Sequence, residues 1–440
     1  MYKSASKTVA LIFIIAVASL AARAQEHDAP EVEVGTQFSS LSITPPGLGG
    51  TENATGFGGR VTYNFNDHVA VEAEGNFYTT EQSQSYLTGG RAEQLQAGLK
   101  VGKRFDKFGV FAKARPGLIS FDKTLAVSQA PIVTGGVTDI VNVFTSERKT
   151  HFTTDVGGVL ELYPTRRVLV RFDFGDTIIR YGEHDEARSF FLNPDFIDTV
   201  VKAPAEIKHN FQFTGGVSYR FGGGAGASDG GAQSFSPSDS KRRFEVGIQF
   251  SSFVLNLSSV DLGFPSFAPF DTGNNTEAGF GARVGYNFTD KFALEAEGNF
   301  YPRRRDPNST AGGFPAQFQF GPKIGKRFRR FGIFAKARPG FVTFSRVLHQ
   351  TGTETFNFDG QTFTFPTFDA RRRTYFSTDL GGVLELYPSS RLITRFDFGD
   401  TLIHYGQRDP SGLITGAPTP PIPASTRHNF QFTAGIALRF

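Results

Sequence analysis

An all-β architecture, written twice along one chain, is what this sequence predicts. Three observations carry that expectation. Long stretches recur after about 220 residues: FGVFAKARPG at Phe108–Gly117 returns as FGIFAKARPG at Phe331–Gly340. GGVLELYP, RFDFGDT and HNFQFT, starting at Gly157, Arg171 and His209, return at Gly381, Arg395 and His428. Such a distance marks a duplicated domain, because solenoid units repeat at roughly 20–50 residues. Within each copy, apolar and polar residues alternate with a period of two, the pattern of a strand with two unlike faces. Composition agrees, with 49 Phe, 50 Gly and only 20% charged residues.

The first 24 residues read as a secretory signal. Lys3 and Lys7 precede the apolar core Val9–Leu20, and Ala22-Arg23-Ala24 forms a small-x-small cleavage site before Gln25. The apolar run falls short of the ~20 residues a spanning helix needs. With no Cys in the chain, a lipoprotein anchor is excluded, as are disulfides and thiolate metal sites. Removing Lys3, Lys7 and Arg23 lowers the formal charge from +4 to +1, so the pI of 9.1 gives no argument for nucleic acid, and none is expected as a partner.

Copy one, residues 25–221, yields eight alternating segments near 31–43, 56–65, 69–78, 91–105, 108–121, 150–163, 168–180 and 207–221. In the third, Val69, Val71, Ala73, Gly75 and Phe77 share one face, and Ala70, Glu72, Glu74, Asn76 and Tyr78 the other. In the seventh, Val168, Val170, Phe172 and Phe174 oppose Leu169, Arg171 and Asp173. The connections alternate as well. Asn66–His68, Asp106–Lys107 and Pro164–Arg167 are tight turns, whereas 44–55, 79–90, 122–149 and 181–206 are long polar loops. Copy two, residues 244–440, repeats the plan with turns at Thr289–Lys291, Arg329–Arg330 and Pro388–Arg391.

An even number of ~10-residue amphipathic strands, short turns at one end and long loops at the other, describes an antiparallel transmembrane β-barrel. Its apolar face meets lipid, and closure leaves no unpaired strand edge. A secreted β-sandwich also alternates, but it does not account for the one-sided loop lengths or the Phe-dominated face. Gly222–Arg243 reads as a flexible Gly/Ser-rich periplasmic linker. It is far longer than the other turns on its side, which favours two tandem eight-stranded barrels over one sixteen-stranded barrel.

The chain ends Gly435-Ile-Ala-Leu-Arg-Phe440, alternating and closing on Phe, and copy one closes alike at Val217–Phe221. Here the sequence resembles the bacterial outer-membrane barrels typified by the outer-membrane protein A transmembrane domain. The resemblance covers residues 31–221 and 244–440. It implies residence in the bacterial outer membrane and Phe440 as the signal read by the barrel-assembly machinery. It does not extend to that family's cell-wall tethering, since no peptidoglycan-binding domain follows the second copy.

If apolar residues face lipid, the opposite face places charge inside. In copy one these are Glu33, Glu72, Glu74, Asp155, Glu161 and Asp173 with Arg60, Lys100, Lys113, Arg115, Arg171 and Arg220. Copy two supplies Glu245, Glu295, Glu297, Asp379, Glu385 and Asp397 with Arg283, Lys323, Lys336, Arg338, Arg395 and Arg439. An eight-stranded barrel is just wide enough for side chains to fill, so such charges must pair into a network. The i, i+2 spacing of Glu72 and Glu74 beside so many bases predicts salt bridges rather than acid–base catalysis.

No catalytic, cofactor-binding or metal set is expected. His209 and His428 alone recur among the histidines, as rim residues, and no set of a Ser or Asp with a rim His is read as present in both copies. Arg303–Arg305, Arg327–Arg330 and Arg371–Arg373 read as solvated ends meeting lipid headgroups and lipopolysaccharide. The long loops form the surface for any extracellular ligand. The expected role is structural or surface-interacting, with a sixteen-stranded porin passing small solutes as the alternative and a rim enzyme as the third reading.

Overall fold

The computed structural model describes residues 32–46, 50–134, 137–192, 195–221, 243–257, 275–358, 361–408 and 421–440. Residues 1–24 and the linker residues 222–242 lie outside them, and so do the expectations made there. The chain divides into two compact units, residues 1–232 and 233–440.

In the first unit the strands are β1 (Val32–Ile43), β2 (Glu52–Asn64), β3 (Val69–Gln82), β4 (Gly90–Arg104), β5 (Phe108–Thr134), β6 (Val137–Leu162), β7 (Val168–Tyr181), β8 (His184–Leu192), β9 (Asp195–Ala203) and β10 (Glu206–Phe221). Antiparallel pairing runs β1–β2–β3–β4–β5–β6–β7–β10. The ring then closes, β10 pairing β1 from Val32–Phe221 to Leu41–Gln212. Hairpin β8–β9 forms its own two-stranded sheet within the last long connection.

The second unit holds β11 (Phe244–Leu255), β12 (Asn275–Asn287), β13 (Phe292–Phe300), β14 (Pro315–Arg327), β15 (Phe331–Phe358), β16 (Gln361–Leu386), β17 (Leu392–Tyr405) and β18 (Ser425–Arg439). Each pairs with the next. Closure comes from β11 against β18, Glu245 opposite Arg439. Among the described residues each unit is thus an eight-stranded antiparallel barrel.

Local chemistry sets the tight turns. Asn66 Oδ1 accepts the amides of His68 and Val69, and Thr289 Oγ1 takes the same place for Lys291 and Phe292. Thr165 and Ser389 repeat the device before β7 and β17. These side chains mimic a backbone turn and fix the strand register. Register then decides the faces. Phe77, Leu99, Phe152 and Phe174 point outward and exposed, as do Phe300, Ile333, Phe376 and Phe398 in the second unit.

Two long connections are not loops. Residues 122–149 continue β5 and β6 as a paired ladder to Thr134–Val137, and β15–β16 continue to Phe358–Gln361. Strands of 26–28 residues far exceed the ~9–11 that cross a membrane. The reason is in the sequence: β-branched residues flank Gly135-Gly136, and Phe and Thr flank Asp359-Gly360, both hairpin signals.

The 79–90 loop also departs from expectation, because its turn folds onto the barrel mouth. Ser85 N bonds Thr88 O, and Leu125 N and Lys123 N bond Ser85 O and Gly89 O. In the second unit Asn308 N bonds Ala311 O, and Leu348 N and Arg346 N bond Asn308 O and Gly312 O. The chain turns back at Gly90 and Gly313, at φ +67° and +68°. A Cβ on Gly90 would also lie 2.0 Å from Asp122 Oδ1 and 2.8 Å from Lys123 Cβ. Gly90→Ala is expected to destabilise the tucked turn by ~1–2 kcal/mol. Faster proteolysis within 83–89, with the barrel intact, would be the readout.

Candidate functional site

Each bore is filled in three layers, beginning at the short-turn end. All twenty-four predicted interior residues lie buried there. In the first unit Lys100 Nζ sits 2.5 Å from Glu161, and Arg220 Nε donates to Glu33 at 2.7 Å. Arg171 forks onto Glu72 at 2.6 and 2.9 Å and onto Asp173 at 2.5 and 2.9 Å. Arg115 reaches Glu74 at 2.6 Å, Asp155 at 2.5 Å and Glu72 at 3.2 Å. Lys113 lies 2.7 Å from Asp155, and Arg60 lies 3.9 Å from Glu74 and donates to Gln37.

The second unit reproduces this arrangement. Lys323 meets Glu385 at 2.5 Å, Arg439 meets Glu245 at 2.7 Å and Arg395 meets Glu295 at 2.5 Å. Arg395 also meets Asp397 at 2.5 Å, and Arg338 bridges Glu297 and Asp379 at 2.6 and 2.7 Å. Lys336 holds Asp379 at 2.7 Å, while Arg283 donates to Gln249. Bidentate guanidinium contacts of this kind are the strong form of ion pair.

Sequence reading missed one base per unit. Arg104 joins Glu33 at 3.3 Å and Arg327 joins Glu245 at 3.2 Å, both on the inward face of their strands. Their even spacing from Lys100 and Lys323 was the available signal. Tyr163 and Tyr387, just past β6 and β16, close the layer by donating to Glu161 and Glu385. Burial pushes both phenols up, so they remain donors.

Above the ions lies a layer of amides and hydroxyls. Gln37 donates to Asn76, Asn76 to Gln94, and Gln212 and Tyr78 to Gln94. Gln249, Asn299, Gln317, Gln431 and Tyr301 make the same chain. Polar groups enclosed this way must satisfy one another, and those named here do; the buried amides of Gln96 and Gln319 beside them have no hydrogen-bond partner among the described residues.

An apolar cap then seals each mouth. Leu41, Ile43, Ile119, Phe121, Ile179 and Tyr181 pack under Leu87 of the tucked turn. Phe253, Leu255, Val342, Phe344, Ile403 and Tyr405 pack under Ala311. His151 Nε2 contacts Leu87 O at 2.8 Å, and at the same register Tyr375 Oη donates to Thr310 O at 2.9 Å. The second unit adds a buried Arg305–Glu277 ion pair, tying the turn to β12.

Two of the basic clusters therefore do not sit as expected. Arg305 and Arg327 point into the barrel, because strand and turn geometry aim alternate residues inward. Arg329 and Arg330 form a tight turn between β14 and β15, at the opposite end from the long loops. Only Arg371–Arg373 lie on a long hairpin.

Glu245, Glu295 and Glu385 approach closely enough to hold a metal ion. The ammonium of Lys323 occupies that place, 3.8, 2.7 and 2.5 Å from the three carboxylates. The histidines hold a surprise for the sequence reading. His209 Nδ1 lies 2.6 Å from Asp176, and His428 Nδ1 lies 2.5 Å from Asp400. Each Asp also accepts the amide of the following Asn, and that Asn side chain receives the amide of Thr44 or Asn256. The recurring GDT and HNF motifs thus clasp the strands that close each ring. The pairs were invisible in sequence because the two residues come from neighbouring strands. Among the described residues, no hydroxyl nucleophile bonds either imidazole. At the chain's end, Phe440 exchanges backbone hydrogen bonds with Phe244 and exposes its ring.

Eight strands, a polar filled bore, an apolar outer wall and one-sided loops are now in place. The sequence model of the family described as "Outer membrane protein beta-barrel domain" matches residues 10–221. The chain is an outer-membrane β-barrel protein. It is integral to the bacterial outer membrane. Neisserial surface protein A is 15% identical, over 43% of this chain and 97% of its own, with a TM-score of 0.26. The attachment invasion locus protein Ail of Yersinia pestis is 14% identical, over 44% and 99%, with a TM-score of 0.26. A Pseudomonas aeruginosa FadL homologue is 10% identical, over 93% and 89%, with a TM-score of 0.28. No curated protein matches this chain.

Proposed function

We propose that this outer-membrane protein is a non-conducting, non-enzymatic anchor that presents its long hairpins as a surface-interaction platform. One observation carries the reading. Each bore is blocked through its length by paired ions, hydrogen-bonded amides and an apolar cap, while β5–β6 and β15–β16 extend well past the wall. In barrels of this class the short turns face the periplasm and the long loops face outward. The partners of this reading are outer-membrane lipid and lipopolysaccharide at the wall, the barrel-assembly machinery at Phe440, and an extracellular ligand on the hairpins. The sixteen-stranded porin reading loses support from rings that close after eight strands. The His–Asp pairs give a rim enzyme no nucleophile.

In planar bilayers the folded chain is expected to give no conductance steps. External trypsin on intact cells is expected to cut the hairpins, at Lys149 or Arg371, and to leave the barrels heat-modifiable. Steady conductance would overturn the plugged-bore reading. Resistance of the hairpins in intact cells, with cleavage after lysis, would overturn the outward platform.

A further inference from the structure

The two mouths are latched by different chemistry at the same place. In the first unit His151 holds the tucked turn from below, its Nε2 lying 2.8 Å from Leu87 O. In the second, Tyr375 Oη donates to Thr310 O at 2.9 Å. The pair Ile119–His151 in one register corresponds to Val342–Tyr375 in the other. Ring packing matches as well: His151 stands edge-on to Tyr181, and Tyr375 to Tyr405, each at 4.8 Å between centroids. Of these two holding residues, only the histidine changes charge between about pH 5 and 8.

Counted from the short-turn end of β6, the ~9–11 residues that cross a membrane run from Leu162 to Phe152, so His151 lies at the mouth. It is buried against Phe121 and Tyr181, beneath Leu87. A carbonyl only accepts, so Nε2 carries the hydrogen and Nδ1 is the atom left to take a proton. On its own strand, Lys149 pairs with Glu147 and donates to Tyr86 O. On β8, His184 pairs with Glu186. On β5, Asp122 accepts the Arg91 amide and Lys123 meets Glu81, while Arg180 of β7 is exposed. The turn at 83–89 brings no charge, only the Tyr86 phenol, and β7 adds the phenol of Tyr181. Each of these acids already has a partner. Burial, reinforced by Lys149 and His184, holds the imidazole below its usual ~6.5 against the opposing pull of the Leu87 carbonyl.

We propose that His151 is an acid-released latch on the mouth of the first barrel, and that the second mouth has no such release. Protonation keeps the donor to Leu87 O but encloses a full charge within the apolar cap. That charge reaches water only when the turn leaves the cap. The closed turn is therefore fully favoured above ~6.5, where the exposed ring titrates, and loses that preference as pH falls below it. Protonation of His184 strengthens its pairing with Glu186, and it also sets a second positive charge near His151. As the turn lifts it carries Tyr86 and Leu87 outward, while the ion and amide layers stay in place beneath. Acid thus changes the surface of one mouth without opening a conduit. In the orientation proposed above that surface meets external pH, although the latch itself works in either orientation.

The test is amide hydrogen exchange on the full chain folded in detergent, at about pH 7.5 and about pH 5, either side of the imidazole range. Rates are corrected for the intrinsic pH dependence of exchange. Protection across residues 83–89 is expected to fall roughly 5- to 10-fold at the lower pH, while residues 306–312 keep theirs. His151→Tyr, which installs the second unit's residue, is expected to remove the response. His151→Gln, a donor that stays neutral, is expected to remove it too, so either variant serves if the other loses its heat-modifiable form. His184→Gln is expected to leave the response in place. Equal protection of the first turn at both pH values would overturn the proposal, and so would an equal loss in the two turns. A response that survives in a folded His151 variant, or that disappears in His184→Gln, would overturn it as well.

Discussion

Arg115→Ala is expected to destabilise the first barrel by about 3–5 kcal/mol, enough to abolish its heat-modifiable form under mild urea. Arg115 is fully buried and reaches three carboxylates, those of Glu74, Asp155 and Glu72. Removing it leaves Lys113 at 2.7 Å as the near partner of Asp155, and leaves Glu74 with Arg60 at 3.9 Å. Glu74 and Asp155 are fully buried, so the penalty is the cost of an unpartnered buried ion rather than the loss of one bridge. The same substitution at Arg338 is expected to cost the second barrel as much, since Glu297 and Asp379 depend on it in the same geometry. Arg115→Lys tests the cause. A single ammonium cannot span carboxylates set on opposite sides of a fork, so lysine should recover only part of the loss. A urea midpoint for Arg115→Ala within error of the parent chain would show that the network is not what holds the bore together.

How far the sequence led follows from the same geometry. On a strand, facing is a matter of parity, so the interior charges could be read from alternation alone, and Arg104 fell to the same rule unused. The cap could not be read that way. It depends on a turn held by backbone bonds to β5 and β15 and on Gly90 and Gly313 at positive φ. In sequence the Gly-Gly pairs at 89–90 and 312–313 read equally as plain loop. The hairpin extensions were legible from Gly135-Gly136 and Asp359-Gly360, but their polar surroundings masked a continuing alternation. Cross-strand partners such as His209 with Asp176 need the register of β7 against β10, which no local pattern supplies.

The twin units also supply a natural control for the second large effect. Glu277 of the second unit occupies the position of Ala54 in the first, as the pairs Phe253–Glu277 and Leu41–Ala54 show. One cap therefore carries a buried ion pair with Arg305, and the other has alanine in that place and closes with apolar contacts and neutral hydrogen bonds such as His151 to Leu87 O. Glu277→Ala strands Arg305 beneath the turn and is expected to cost the second barrel about 3–5 kcal/mol. Glu277→Ala/Arg305→Met, which approaches the first unit's solution, is expected to return most of that stability, because a packed apolar pair rivals a buried salt bridge once desolvation is included. Urea titration of the single and double variants, followed by loss of the compact gel form, measures both. Should the double variant prove as unstable as the single, Glu277 contributes through something other than neutralising Arg305. The first unit's cap would then be the wrong guide to the second. Recovery in the double variant would mean that the ion pair's distinctive contribution is to fix where the tucked turn sits, a matter of specificity rather than of stability.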